Sequence, residues 1–147
     1  MNPGHPLNAE GAEDAQKSQK EVPIENDFSR EIIGAAVEVQ RVLGTGLLES
    51  AYSAALAIEL AERGLAFARE VPIQGRYKGR DLGVAYRADL VVERSVIVEI
   101  KAIDVVTELH RSQLLSYLRV SGMRLGLLVN FHAFPVVKGI HRLVNRL

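Results

Sequence analysis

Apolar residues recur at every second position through three consecutive stretches, 67–77, 82–92 and 95–103, and this period constrains the fold more than any other feature. A period of two predicts strands, here with "YKGRD" turning the chain between the first two and "ERS" between the second and third. Before them, Ile32, Ile33, Ala36, Val37, Val39, Gln40 and Leu43 follow helical spacing from Phe28, with Asp27 or Ser29 as cap and Gly44 as stop. A second helix is predicted from about Leu48 to Arg63, closed by Gly64 and Leu65. After the strands, Leu109, Leu114, Leu115 and Leu118 predict a helix over Thr107–Val120, with Gly122 beyond its end. "LGLLVNF" (125–131) reads as a short buried strand and 136–144 as a final one. The order α-α-β-β-β-α-β-β implies an α/β sandwich around a mixed central sheet.

A length of 147 residues suits a single domain. Residues 1–26 are polar and aperiodic and are expected to be a flexible tail, leaving 27–147 as the folded unit. No apolar run approaches the ~20 residues of a membrane span. The start of the chain lacks the basic-then-apolar order of a secretion signal, which points to a cytoplasmic setting. With no cysteine, disulfides, thiol catalysis and thiolate zinc sites are excluded. Equal numbers of acids and bases hide an asymmetry. Residues 1–28 hold six acids and two lysines, so the remainder is mildly basic, with 16 cations against 12 acids. Such a body is compatible with a nucleic-acid partner without requiring one.

Within "SVIVEIKAI" (95–103), Glu99 and Lys101 interrupt an otherwise apolar strand. Alternation puts Ile97, Glu99 and Lys101 on one face and Val96, Val98 and Ile100 on the other. An isolated pattern of this kind is ordinarily a solvated face. The preceding strand alters that reading. If "ERS" is a three-residue loop centred on Arg94, Val92 pairs with Val96 and Asp89 with Glu99. Carboxylates directly opposite each other are destabilising unless neutralised. A divalent cation such as Mg²⁺, which is commonly held by one or two carboxylates, waters and phosphate oxygens, would neutralise them. Lys101, one pleat on, would hold an attacking water or stabilise charge on a phosphate. Arg87 would pair with Lys101 and add a cation, or else form a surface salt bridge. A loop of two or four residues would place the two acids on opposite faces.

"GLLESAY" (46–52), with Gly46, Glu49 and Tyr52, resembles the signature of the GxxExxY proteins, and Asp89 followed by Glu99-Ile100-Lys101 resembles the core of the PD-(D/E)XK nuclease superfamily. "YRADLVVE", "QLLSYL" and "LGLLVNF" extend the likeness from about Phe28 to Asn145. The resemblance implies a restriction-endonuclease-like sandwich and a metal-dependent hydrolytic site using Mg²⁺ or Mn²⁺; the leading expectation is hydrolysis of phosphodiester bonds of DNA, with RNA the lesser substrate. It implies Asp89 and Glu99 as metal ligands, with the backbone carbonyl of Ile100 as a third, Glu49 as a residue that binds the metal or orients a water, and Lys101 as the catalytic lysine. It also implies that Tyr52, Gln113 and Tyr117 support the site or touch nucleic acid. One departure is that Ala88, not proline, precedes Asp89.

Each residue also has a plainer role. Glu49 could simply favour a helix N-terminus, and Tyr52, Gln113 and Tyr117 could be core-edge residues. His110 could face the site, but neither it nor His132 or His141 is expected to be catalytic. The competing functional reading is a catalytically silent nucleic-acid or protein interaction module on the same fold. Self-association or a protein partner stays open.

Overall fold

The computed structural model describes residues 27–146; the tail expected over 1–26 lies outside the described residues. Helix α1 (Ser29–Leu43) and helix α2 (Glu49–Glu62) precede strands β1 (Phe67–Tyr77), β2 (Arg80–Val92) and β3 (Val96–Lys101). Helix α3 (Glu108–Ser121), strand β4 (Leu125–Asn130), a 3₁₀ turn (Val136–Gly139) and strand β5 (Ile140–Val144) complete the domain. The strands lie in the order β1-β2-β3-β4-β5, all antiparallel to their neighbours except the parallel pair β3–β4. This is the mixed sheet predicted from the order of elements.

Alternation sorts the core into two layers. On one face, Val96, Val98 and Ile100 of β3 with Leu125, Leu127 and Val129 of β4 pack against Ile32, Val39, Leu56 and Leu60 of α1 and α2. On the other, Ile97 and Leu128 pack against Leu114 and Leu118 of α3. Strand β4 is buried at every position, as its unbroken apolar run requires. Burying the side chains of one strand such as β3 contributes on the order of 2 kcal/mol per large aliphatic residue, which holds the positions of Glu99 and Lys101 firmly.

The chain ends of these elements follow local chemistry. Asp27 Oδ1 accepts the Ser29 amide at 3.0 Å, and its other carboxylate oxygen pairs with Arg142 of β5. Gly64 takes a left-handed φ of 76°, letting the Leu65 amide return to the Leu60 carbonyl at 3.0 Å. Thr107 and His110 cap α3 reciprocally, so His110 is occupied as a cap.

Two expected boundaries move. The last strand starts at Ile140, not Val136, because the buried Gln40 side chain captures the preceding loop: its amide donates to the Phe131 and Ala133 carbonyls and its oxygen accepts from Val136 N. The third strand stops at Lys101, not Ile103, because the Asn130 side chain takes both the N–H and the carbonyl of Ile103.

Candidate active site

The loop between β2 and β3 has the three-residue form, with Val92 opposite Val96, Val91 opposite Ile97 and Leu90 opposite Val98. Glu93 and Arg94 adopt left-handed φ values of 52° and 55° to make it. Two hydrogen bonds between Glu93 and the Ala66 backbone, 2.8 and 2.7 Å, oppose that strain.

The ladder then stops at Leu90–Val98, one pair short of the predicted Asp89–Glu99 partnership. The cause is a switch of faces in β2. Leu90 and Val92 belong to the α1/α2 layer, whereas Ala88 and Tyr86 belong to the α3 layer. Strict alternation would keep all four together, so the strand turns over at Asp89. Glu70 on β1, between the paired residues Arg69–Leu90 and Val71–Ala88, has a φ of 51° at the same level. Strand β2 thereby diverges from β3 and leaves a fork. The Asp89 carboxylate bridges it, with Oδ2 accepting the Ile100 amide at 2.7 Å.

Glu99 and Lys101 follow Ile97 on the α3 side of β3 and point into this fork. Burial, and then the negative charge of Asp89, push the Glu99 carboxyl up to about 7, while the Lys101 ammonium and a hydrogen bond from Tyr86 oppose the shift. Glu99 therefore feels both Asp89 and Lys101. The Tyr86 hydroxyl donates to Glu99 Oε1 at 3.1 Å, and its ring stacks on Tyr117 of α3 with centroids 3.7 Å apart and planes 11° apart. Burial and the two carboxylates drive the Tyr86 hydroxyl above its ordinary range, so it stays a proton donor. The Ile100 N–H and carbonyl point to the same side of the strand, as in any ladder. Since the N–H meets Asp89, the carbonyl faces the fork as well.

The donor set is thus two carboxylates, one of them short of a counter-charge, and a backbone carbonyl. Hard oxygen donors of this number fit a divalent cation such as Mg²⁺ that keeps several waters. Among the described residues no three His, Cys, Asp or Glu side chains come close enough together to hold a metal. Glu49 is exposed at the first position of α2, on the helical layer that covers the opposite face of the sheet from Glu99, and it does not join the pair. Arg87 does not pair with Lys101; it is exposed, lies opposite Pro72, and donates to the Glu70 carbonyl at 3.2 Å. Gln113 is exposed on α3 without a hydrogen bond to the carboxylates. Tyr117 stacks on Tyr86 and so lies one residue removed from Glu99.

Tyr52 is fully buried and has a different task. Its hydroxyl donates to the Gly44 carbonyl at 2.7 Å and accepts the Leu47 amide at 3.1 Å, and its ring stacks on Phe131 at 4.5 Å. It closes the 44–47 loop over the end of β4. The Phe131 amide in turn bonds to the Lys101 carbonyl at 2.9 Å, so Tyr52 props the backbone that carries Lys101.

An acid from β2, an acid and a lysine two apart on β3, and a parallel strand beside them are the elements of one known nuclease core. The family model of the PD-(D/E)XK nuclease superfamily matches residues 26–143. The chain belongs to this superfamily. Its nucleases typically use divalent metal ions. No curated protein and no solved structure matches the chain significantly. The residue missed by reading the sequence is Tyr86. Its place in "YRAD" put it on the opposite face from Asp89 until the face switch brought it round.

Proposed function

We propose that the protein is a metal-dependent phosphodiesterase acting on DNA, with RNA the lesser substrate. The observation that supports this reading is the fork itself, where Asp89 holds the Ile100 amide beside Glu99, with Lys101 two residues further along β3. Asp89 and Glu99, with the Ile100 carbonyl, would hold Mg²⁺ or Mn²⁺, which when bound polarises the phosphate and eases deprotonation of water. Asp89 is fixed by the Ile100 amide and Glu99 by the Tyr86 hydroxyl, so both carboxylates are oriented before any ligand arrives. Lys101, which forms no salt bridge among the described residues, would orient the attacking water and balance charge building on the phosphate oxygens. The GxxExxY signature fits here through Tyr52, whose loop closure supports the strand carrying the lysine.

One observation favours the second reading, a silent binding module: Glu49 stands apart from the carboxylate pair, leaving two acids at the fork among the described residues. The test incubates the protein with single- and double-stranded DNA and RNA in Mg²⁺, Mn²⁺ or EDTA, beside Glu99→Ala and Lys101→Ala. Cleavage that needs metal and is lost in both variants supports the nuclease. Cleavage that persists in both rejects this site, and none on any substrate favours the binding module.

A further inference from the structure

Because the β2–β3 ladder ends at Leu90, residues 71–88 pair only with one another. They form a two-stranded arm that starts at Asp89 and turns at Lys78-Gly79, both with positive φ (52° and 76°), the geometry of a tight two-residue hairpin. Its inner face is settled: Val71, Ile73, Tyr86 and Ala88 pack with the α3 layer, and Gly75 lets the arm lie close to Val120. Its outer face and tip are in solvent.

That exposed surface is basic. Between positions 69 and 87 stand Arg69, Arg76, Lys78, Arg80 and Arg87, all exposed, against two acids, Glu70 and Asp81. The excess of three equals the whole excess of residues 27–147, where 16 cations face 13 acids, so the rest of the domain is balanced. None of the five forms a salt bridge among the described residues. The Lys78 ammonium instead rests 5.3 Å above the ring of Tyr77, itself 60% exposed. Charge on an edge strand can serve merely to keep a second copy from pairing with it. Either sign would serve that purpose, whereas one sign clustered on both strands of a ribbon rooted at a candidate phosphate site complements a polyanion.

We propose that the β1–β2 arm is a track for the backbone of the nucleic acid whose scissile phosphate lies at Asp89 and Glu99; this rests on the nuclease reading above. Arg76, Lys78 and Arg80 bind phosphates away from the cleavage point. The nine residue-to-residue steps from Arg80 to Asp89 span at most about 30 Å at roughly 3.3 Å each. That is the length of about eight to nine nucleotides of a strand at about 3.4 Å per phosphate.

The test measures binding without turnover, using Glu99→Gln as parent and labelled duplex and single-stranded DNA and RNA in EDTA over a range of salt. The triple variant R76S/K78S/R80S in that background should bind duplex DNA at least about tenfold more weakly at low salt, with a log–log salt slope shallower by about 2 to 3. The charge-preserving R76K/R80K should keep the slope. A triple variant with the parent's slope overturns the track while leaving the nuclease reading standing; a parent that binds no nucleic acid overturns both. Displacement by polyglutamate as effective as by DNA of equal charge also overturns it. As the chain has no cysteine, Gln74→Cys on the outer face gives a unique photocrosslinking site independent of the charge variants. It should crosslink to nucleotides within about eight of the cleavage position, and crosslinks confined elsewhere contradict the track.

Discussion

Replacing Glu99 by glutamine should stabilise the metal-free protein, and only above mildly acidic pH. The Glu99 carboxyl is raised from 4.5 to about 7, first by burial and then by the charge of Asp89. A folded-state value above the unfolded one means that the folded protein holds this proton more tightly. The associated stability is complete below about pH 4.5 and is lost as pH climbs through about 7. At about 1.4 kcal/mol per pH unit the full displacement corresponds to about 3 kcal/mol, and because the side chain keeps some contact with water the observable part is about 2 to 3 kcal/mol. Glutamine has nearly the same shape, carries no charge, and can still accept the Tyr86 hydroxyl. Urea unfolding in EDTA from pH 4.5 to 8.5 should therefore show parent and Glu99→Gln converging at the acid end. The variant should be more stable by about 2 to 3 kcal/mol at pH 8, several degrees or more in Tm. A gap that does not change with pH, or a variant less stable at pH 8, would refute the account of a half-buried Glu99 carboxyl crowded by Asp89 in one fork.

Other substitutions test the supports of the site. Tyr86→Phe removes the donor to Glu99 and should weaken Mn²⁺ affinity about tenfold or more, measured by calorimetry, with little change in secondary structure. Tyr52→Phe leaves the Gly44 carbonyl and Leu47 amide without a partner. It should lower stability by about 1 to 3 kcal/mol in urea unfolding, with faster proteolytic nicking at 44–47. Gln40→Leu leaves three backbone partners unmet, two of them in buried hydrogen bonds, and should cost about 3 kcal/mol or more, seen as a lower urea midpoint. At Gly139 an added Cβ would lie 2.6 Å from the Asn130 carbonyl oxygen, so Gly139→Ala should be destabilised by at least about 1 to 3 kcal/mol in the same assay.

The sheet was legible because its cause is local: the period of two in β1–β3, the apolar run of β4 and the glycines that close the helices each act within a few residues. The three-residue loop at Glu93–Ser95 was likewise enough to predict the register of Val92 with Val96. Elements held by distant polar side chains were not legible. Gln40 converts 136–139 from strand to 3₁₀ turn across 91 to 96 residues of sequence, and Asn130 ends β3 across 27. The same holds at the site. Extrapolating the register beyond Leu90 paired Asp89 with Glu99 and Arg87 with Lys101, but alternation carries no information about where a strand will turn over. The turn at Asp89 substitutes a side chain for the next ladder bond, aims Arg87 outward and swings Tyr86 in. Glu49 and Tyr52 share a helical stretch in sequence, yet α2 covers the opposite sheet face, so one is exposed and the other is a loop prop.

The central claim is that Asp89 and Glu99 form one divalent-cation site at the fork. Titration of Mn²⁺ by calorimetry at pH 7 and pH 8, beside Asp89→Asn and Glu99→Gln, measures it without a substrate. One ion should bind per chain, more tightly and with less proton release at pH 8 than at pH 7, since Glu99 must lose its proton to bind, and binding should weaken by at least about tenfold in each variant. Binding of equal strength in the parent and both variants, or no binding to the parent at either pH, would contradict the account.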